Sequence, residues 1–132
     1  MKKSFCLLAI AIAMVIITSC GNGNSPRDVA EKAVQCLIDK DYEGYVNLTY
    51  MDAKDPKEQE REKAMLVAMV GEKYEKMLKE KGGIKSYTFI SEEIKEDKAI
   101  VKMTFEYGNG DKKDDRIKLV NKDGKWWLSN SK

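Results

Sequence analysis

After residue 25 the chain first places its apolar residues at the spacing of an α-helix. Ser25, Pro26 and Asp28 predict where this helix begins, because serine caps helices, proline suits the first helical position and an acid favours the positive helix end. The next apolar residues form one stripe, and they are Ala30, Ala33, Val34, Leu37 and Ile38. The charged stretch 39–41 interrupts the stripe, so we expect the first helix to end there.

Two further helices are predicted before the pattern changes. A short helix covers residues 42–49, and a long one covers residues 56–81, between a capping aspartate and proline at its start and two glycines after its end. Residues 65–70 of the long helix are apolar nearly all round, which predicts a buried segment or the wall of a cavity. Gly71 leaves open whether this helix is continuous or broken.

From residue 84 the pattern changes to the alternation that is typical of β-strands. Strands are predicted over residues 84–94, 99–107 and 115–121, and a last one begins at Trp126. The clearest is 99–107, in which every second residue is apolar. The turns at 108–111 and 122–125 contain glycine beside Asn or Asp, which is a strong signal for hairpins between antiparallel strands.

The N-terminus has a different pattern, in which basic residues are followed by an apolar run and then by small residues. Lys2 and Lys3 precede the apolar run 5–17, and Thr18 and Ser19 lead to Cys20. A run of this length suits a signal peptide and is short for a membrane-spanning helix. The stretch resembles the lipobox of bacterial lipoproteins. That resemblance implies cleavage between Ser19 and Cys20 and lipid attached to Cys20, whereas in an ordinary secretory signal Cys20 would be incidental.

The lipobox resemblance sets the expected organisation and location. Residues 1–19 are the signal peptide, 20–25 a lipidated cysteine with a flexible tether, and 26–132 a single domain. Membrane lipid is then a partner through the acyl chains on Cys20. So short a tether keeps the domain close to the bilayer, in the bacterial cell envelope. No acidic run follows Cys20, which favours a periplasm-facing position on the outer membrane.

Composition excludes several kinds of chemistry. Without residues 1–19 the chain has 22 basic and 22 acidic residues in an interspersed pattern, which argues against nucleic acid as a partner. There is no histidine, so a Ser-His-Asp triad and a histidine-containing zinc site are excluded. Cys36 is the only cysteine left for the domain, and no base is identifiable near it. We therefore expect an inert thiol, no metal, no cofactor and no catalytic residue.

Helices followed by a meander of strands predict an α+β fold, with the N-terminal helices packed on a four-stranded antiparallel sheet. Residues 25–30, 39–42 and 123–126 carry a resemblance to small bacterial lipoproteins of the DUF4878 type. The same order of elements resembles the cystatin-like, NTF2-like fold. The resemblance implies this fold and an envelope location, and it brings no established chemistry.

In folds of this kind the curved sheet and the helices form a half-open cone that can hold a pocket. The candidate lining residues are Tyr45, Met69, Phe89, Met103, Phe105 and Trp126. The same pattern would also simply fill a core. Trp126 and Trp127 are adjacent in a strand and must point to opposite faces, so Trp127 is a candidate partner surface.

Three functions remain open at this point. The favoured one is a non-catalytic module that binds a small apolar ligand or an envelope protein. The alternative is a pocket enzyme of the ketosteroid-isomerase type, which would need a buried carboxylate. A protease-inhibitor role ranks last, because the Gln-Val-Val-Ala-Gly type of loop is absent. A buried carboxylate would favour the enzyme, and an open apolar cavity would favour a ligand carrier. A filled cone with an exposed Trp127 would favour a protein-binding role.

Overall fold

The computed structural model describes residues 24–130, so Ser19, Cys20 and the proposed signal peptide lie outside the described residues. Three helices come first, and they are α1 (Pro26–Ile38), α2 (Tyr42–Asn47) and α3 (Pro56–Lys81). Four strands follow, and they are β1 (Ile84–Lys95), β2 (Lys98–Tyr107), β3 (Lys112–Lys122) and β4 (Lys125–Leu128). α3 is continuous through Gly71.

The strands form one antiparallel sheet in the order β1-β2-β3-β4, which confirms the predicted α+β fold with a meander sheet. A register shift between Phe89 and Ser91 marks a bulge in β1. Strand β3 begins at Lys112, three residues before its predicted start, because Lys112 and Lys113 pair with the end of β2.

The core lies between the inner face of the sheet and α1. Five residues of α1 are buried, and they are Pro26, Val29, Ala30, Ala33 and Val34. The last four pack against the alternate residues of β2, namely Ala99, Val101, Met103, Phe105 and Tyr107. The register of the sheet brings Ile117 and Leu119 of β3 opposite Val101 and Ala99, on the same inner face. The period-2 alternation of the strands thus gives one buried face and one solvated face.

Local capping explains why α1 begins where it does. The Ser25 hydroxyl accepts a hydrogen bond from the Asp28 backbone N–H at 3.1 Å, and the Asp28 carboxylate accepts one from the Ser25 N–H at 3.3 Å. Asn24, next to this cap, is bonded to the backbone of Trp126. Asn24 and Ser25 therefore belong to the folded domain and not to the flexible tether predicted over 20–25.

The long helix α3 differs most from expectation. Residues 65–70 were predicted to be buried or to line a cavity, but Met65 is 57% exposed and Met69 is 50% exposed. At 1.5 Å per residue the helix is about 39 Å long. α1 already covers the inner face of the sheet, so α3 packs on α2 and reaches the core only near its C-terminal end, through Tyr74, Met77 and Leu78. Among residues 24–130, no helix combines the length and the apolarity needed to cross a bilayer.

Candidate functional site

A cavity of about 440 Å³ opens between α1 and the inner face of the sheet. Its walls are mainly apolar or aromatic side chains, namely Ala33, Val34, Leu37, Tyr45, Met77, Ile84, Phe105, Tyr107, Ile117 and Leu128. Asp115, Arg116 and Ser129 supply polar groups to the lining. Because Asp115 and Arg116 are exposed, they place this polar part of the lining at the solvent side.

Two tyrosines give the cavity hydrogen-bonding capacity. Burial raises the pKa of Tyr45 above its usual value, and the negative charge of Asp115 raises it further. The same two causes, in the same order, raise the pKa of Tyr107. Both phenols can donate a hydrogen bond to a ligand. The shared influence of Asp115 shows that this carboxylate lies within electrostatic reach of both tyrosines.

The structure separates the six residues that the sequence grouped as pocket lining. Tyr45 and Phe105 lie in the cavity wall. Met103 is 0% exposed and fills the core. Phe89 packs at the edge of the core, with the Arg27 guanidinium carbon 4.0 Å from its ring centroid. Trp126 also packs at the edge, beside Asn24.

Met69 was assigned to the pocket and does not belong there. It lies half exposed on α3 and is absent from the cavity lining. The physical reason is that an apolar helical segment needs a partner to become buried, and the inner face of the sheet is already covered by α1.

Sequence reasoning missed several residues of the cavity, of which Tyr107 and Asp115 matter most chemically. Both positions carried a usable signal. Tyr107 falls on the alternating inner face of β2, and Asp115 is two and four residues before Ile117 and Leu119, which puts all three on the inner face of β3. An acid on an otherwise apolar face is the kind of position that can serve a ligand.

The described residues can be compared with what an isomerase-type or metal site would require. Every carboxylate in residues 24–130 is exposed or half-buried, so the buried acid that an isomerase-type site needs is missing from this part of the chain. The same residues contain no cluster of acids and cysteine that could hold a metal ion. Burial, followed by the charges of Asp41 and Asp39, raises the pKa of the Cys36 thiol, which disfavours the thiolate form.

Trp127 lies on the other face of β4 from Trp126. Its ring is half-buried against Tyr50, with ring centroids 6.4 Å apart and an edge-on angle of 63°. A second, larger concavity of about 600 Å³ lies on this outer side, lined by Tyr50 and by the lysines at 98, 118 and 122 among others. We take the inner cavity as the candidate ligand site, because buried core residues form its walls.

The domain has α1 packed on a four-stranded antiparallel meander, with α2 on α1 and α3 on α2, and solved structures show that this α+β fold is NTF2-like. A solved structure from Campylobacter jejuni, provisionally designated an NTF2-like transpeptidase, matches with a TM-score of 0.60 and 22% identity, over 81% of this chain and 99% of that one. A SEC-C motif containing protein from Rhodopseudomonas palustris matches with a TM-score of 0.52 and 16% identity, over 82% of this chain and 77% of that one.

The family model of the domain of unknown function DUF4878 matches residues 18–129, and the chain belongs to this family. The matched region includes Cys20. A comparison with curated proteins returns no match. The family and the solved structures thus establish the fold, and the function has to be argued from the site.

Proposed function

We propose that this protein is a lipid-anchored module of the bacterial cell envelope that binds a small ligand in its inner cavity. The observation that carries the proposal is the open 440 Å³ space with apolar walls and two protonated phenols. Ligand sites in proteins commonly measure about 300–1,000 Å³ and combine apolar walls with a few polar groups. The ligand we expect therefore has an apolar body and one end that accepts or exchanges hydrogen bonds.

The anchor is the second half of the proposal. The order of Lys2, Lys3, the apolar run 5–17, Ser19 and Cys20 supports acylation of Cys20, and the described domain begins only four residues later, at Asn24. More than one acyl chain would hold the protein stably on a membrane, at about 0.8 kcal/mol for each buried CH₂. A position on the periplasmic side of the outer membrane remains part of this proposal.

Catalysis is the weaker alternative. The fold is shared with a protein provisionally designated a transpeptidase, but at 22% identity that likeness carries the fold alone. An isomerase-type mechanism would require a carboxylate shielded from water, and the carboxylate of the cavity, Asp115, is exposed. An exposed acid beside two phenols suits recognition of a polar ligand end.

The ligand proposal is tested by purifying the protein from its own envelope in mild detergent and analysing co-purifying small molecules by mass spectrometry. Ile117 is half-buried in the cavity wall, so Ile117→Trp should fill the space. Thr88→Trp adds the same ring on the exposed outer face of β1 and is the matched control. We expect the ligand with the wild type and with Thr88→Trp, and its loss with Ile117→Trp.

Two results would contradict the ligand proposal. One is the recovery of no small molecule above background with the wild type. The other is equal recovery with Ile117→Trp, which would place any bound molecule outside the cavity.

The anchor is tested by feeding cells an alkyne-labelled palmitate analogue and detecting label on the protein. We expect label on the wild type and on the Cys36→Ala control, and complete loss of label on Cys20→Ala, because a thioether needs the Cys20 sulfur. Label that persists on Cys20→Ala would refute acylation at this residue.

A further inference from the structure

Asn24, at the start of the described chain, is hydrogen-bonded to one edge of the sheet. The Trp126 backbone N–H donates a hydrogen bond to Asn24 Oδ1 at 2.9 Å, and Asn24 Nδ2 donates one to the Trp126 carbonyl at 3.5 Å. The side chain of Asn24 thus hydrogen-bonds both backbone groups of one residue of β4, at the edge that does not pair with β3. Asn24, the first described residue, is therefore held beside β4.

The distance from this point to the proposed anchor is short. Asn24 is four positions after Cys20, and a fully extended chain covers at most about 14 Å over that length. An acylated Cys20 would lie at the membrane surface. The point at which Asn24 contacts β4 would then stay within about 14 Å of the headgroups.

Four side chains at this edge form what we call the β4 surface, namely Tyr50, Lys122, Lys125 and Trp127. Tyr50 joins the edge because its backbone N–H donates to the Leu128 carbonyl at 2.9 Å. The Lys125 Nζ lies 4.4 Å from the centroid of the Trp127 ring, and the Lys122 Nζ lies 5.4 Å from that of Tyr50. Both lysines are exposed, and both aromatic rings are half-buried.

The outer concavity of about 600 Å³ continues this surface. Lys98 and Lys118, both exposed, line it together with Tyr50 and Lys122. Asp52 and Glu62 line its other part, so three lysines face two carboxylates there. With Lys125 and Asp123 of the β3–β4 turn added, four lysines stand against three carboxylates at this edge.

We propose that the β4 surface rests on the membrane, with Trp127 and Tyr50 at the level of the phospholipid headgroups and Lys122 and Lys125 on their phosphates. Tryptophan and tyrosine favour this layer of a bilayer, and lysine is attracted to anionic lipid. The inference rests on the proposed anchor at Cys20, since the short connection brings these four residues to the bilayer. Lipid anchoring then also orients the domain, with the sheet edge at β4 facing the lipid.

The two tryptophans of the chain provide the test, because they are neighbours on opposite faces of β4. Trp126→Phe leaves Trp127 as the only tryptophan, and Trp127→Phe leaves Trp126. The mature protein is reconstituted into vesicles of phosphatidylethanolamine and phosphatidylglycerol that include lipid brominated near its headgroup. We expect quenching of Trp127 about twofold stronger than quenching of Trp126. Equal quenching, or stronger quenching of Trp126, would overturn the proposal.

Charge reversal tests whether Lys122 and Lys125 contribute to membrane contact. The double variant Lys122→Glu, Lys125→Glu should show about twofold weaker quenching of Trp127 in these anionic vesicles at low salt. In the protein with both lysines intact, added salt should also weaken the quenching of Trp127. Lys112→Glu with Lys113→Glu changes the same number of charges at the opposite end of β3 and should leave quenching unchanged. A loss of quenching with both pairs of variants would assign the effect to net charge and contradict a specific surface.

Failure of the anchor and failure of the orientation are separable in the same samples. Intact-mass measurement reports the acyl chains on Cys20, and flotation of the vesicles reports bound protein. Acylated, vesicle-bound protein with unquenched Trp127 overturns the orientation alone. Protein without acyl chains overturns the anchor and, with it, the basis of the orientation.

Discussion

Two methionines have opposite environments in this protein. Met103 lies on β2, is 0% exposed and fills the core, whereas Met69 is 50% exposed on α3. The flexible thioether side chain suits either setting, so the residue type carries little information about burial. What decides is whether another element covers the position.

This difference predicts unequal costs for the same substitution. Met103→Ala should lower the free energy of unfolding by about 2–5 kcal/mol, because it removes buried contacts and leaves a void. Met69→Ala should change it by no more than about 0.5 kcal/mol, because the side chain is largely in water. Urea unfolding of the detergent-solubilised protein measures both. A similar decrease in the free energy of unfolding for the two variants would show that residues 65–70 of α3 are covered by another part of the protein.

Asp115 shows how one charged residue changes the interpretation of an apolar cavity. Burial and then the charge of Asp115 raise the pKa of Tyr45 and of Tyr107, so this carboxylate lies within electrostatic reach of both phenols. An exposed carboxylate beside two phenols is the reason why we propose a ligand with a polar end.

At the scale of elements, the contact between α2 and α3 depends on a glycine. Tyr42 of α2 lies against Gly71 of α3, where an added Cβ would be 3.1 Å from Tyr42 Cδ2 and 3.3 Å from Tyr42 Cε2. The Tyr42 hydroxyl donates to Glu75 Oε2 at 2.9 Å. Burial and this hydrogen bond to Glu75 are the leading causes that raise the pKa of Tyr42 to about 12. Gly71 is thus a packing site and not a break in the helix.

A double-mutant cycle tests this role of Gly71. Alanine in a helix is favoured over glycine by about 1 kcal/mol, but at position 71 the methyl group presses on the Tyr42 ring. Gly71→Ala should therefore stabilise the Tyr42→Ala protein by about 1 kcal/mol more than it stabilises the wild type. The measurement is urea unfolding of the four proteins. An equal effect of Gly71→Ala in both backgrounds would show that the two residues are not coupled.

The elements themselves were largely predictable from the sequence, and their arrangement was less so. Ser25 and Pro26 mark the start of α1, and the Asn-Gly and Asp-Gly turns fix the meander, because these signals act over a few residues. The burial of α3 depends on whether an element distant in the sequence packs on it. The spacing of apolar residues within α3 does not contain that information. For the cavity, alternation identifies the inner face of β2 and hence Phe105, but it cannot say which inner residues line a space and which fill the core.

At the scale of the whole molecule, the cavity and the β4 surface lie on different faces of one sheet. The cavity uses the inner face under α1, and the outer faces of β3 and β4 carry Trp127 and the lysines near the point where the chain leads to Cys20. An anchored domain of this form would hold its cavity at a fixed distance from the membrane. Such a geometry suits the capture or holding of a small molecule at the envelope.

The most direct measurement is native mass spectrometry of the wild-type protein released from its own membrane. The account predicts a chain that begins at Cys20, carries acyl chains, and retains one small molecule non-covalently that is lost when the protein is denatured. A chain of unmodified mass, or an acylated chain that holds no small molecule, would contradict the account.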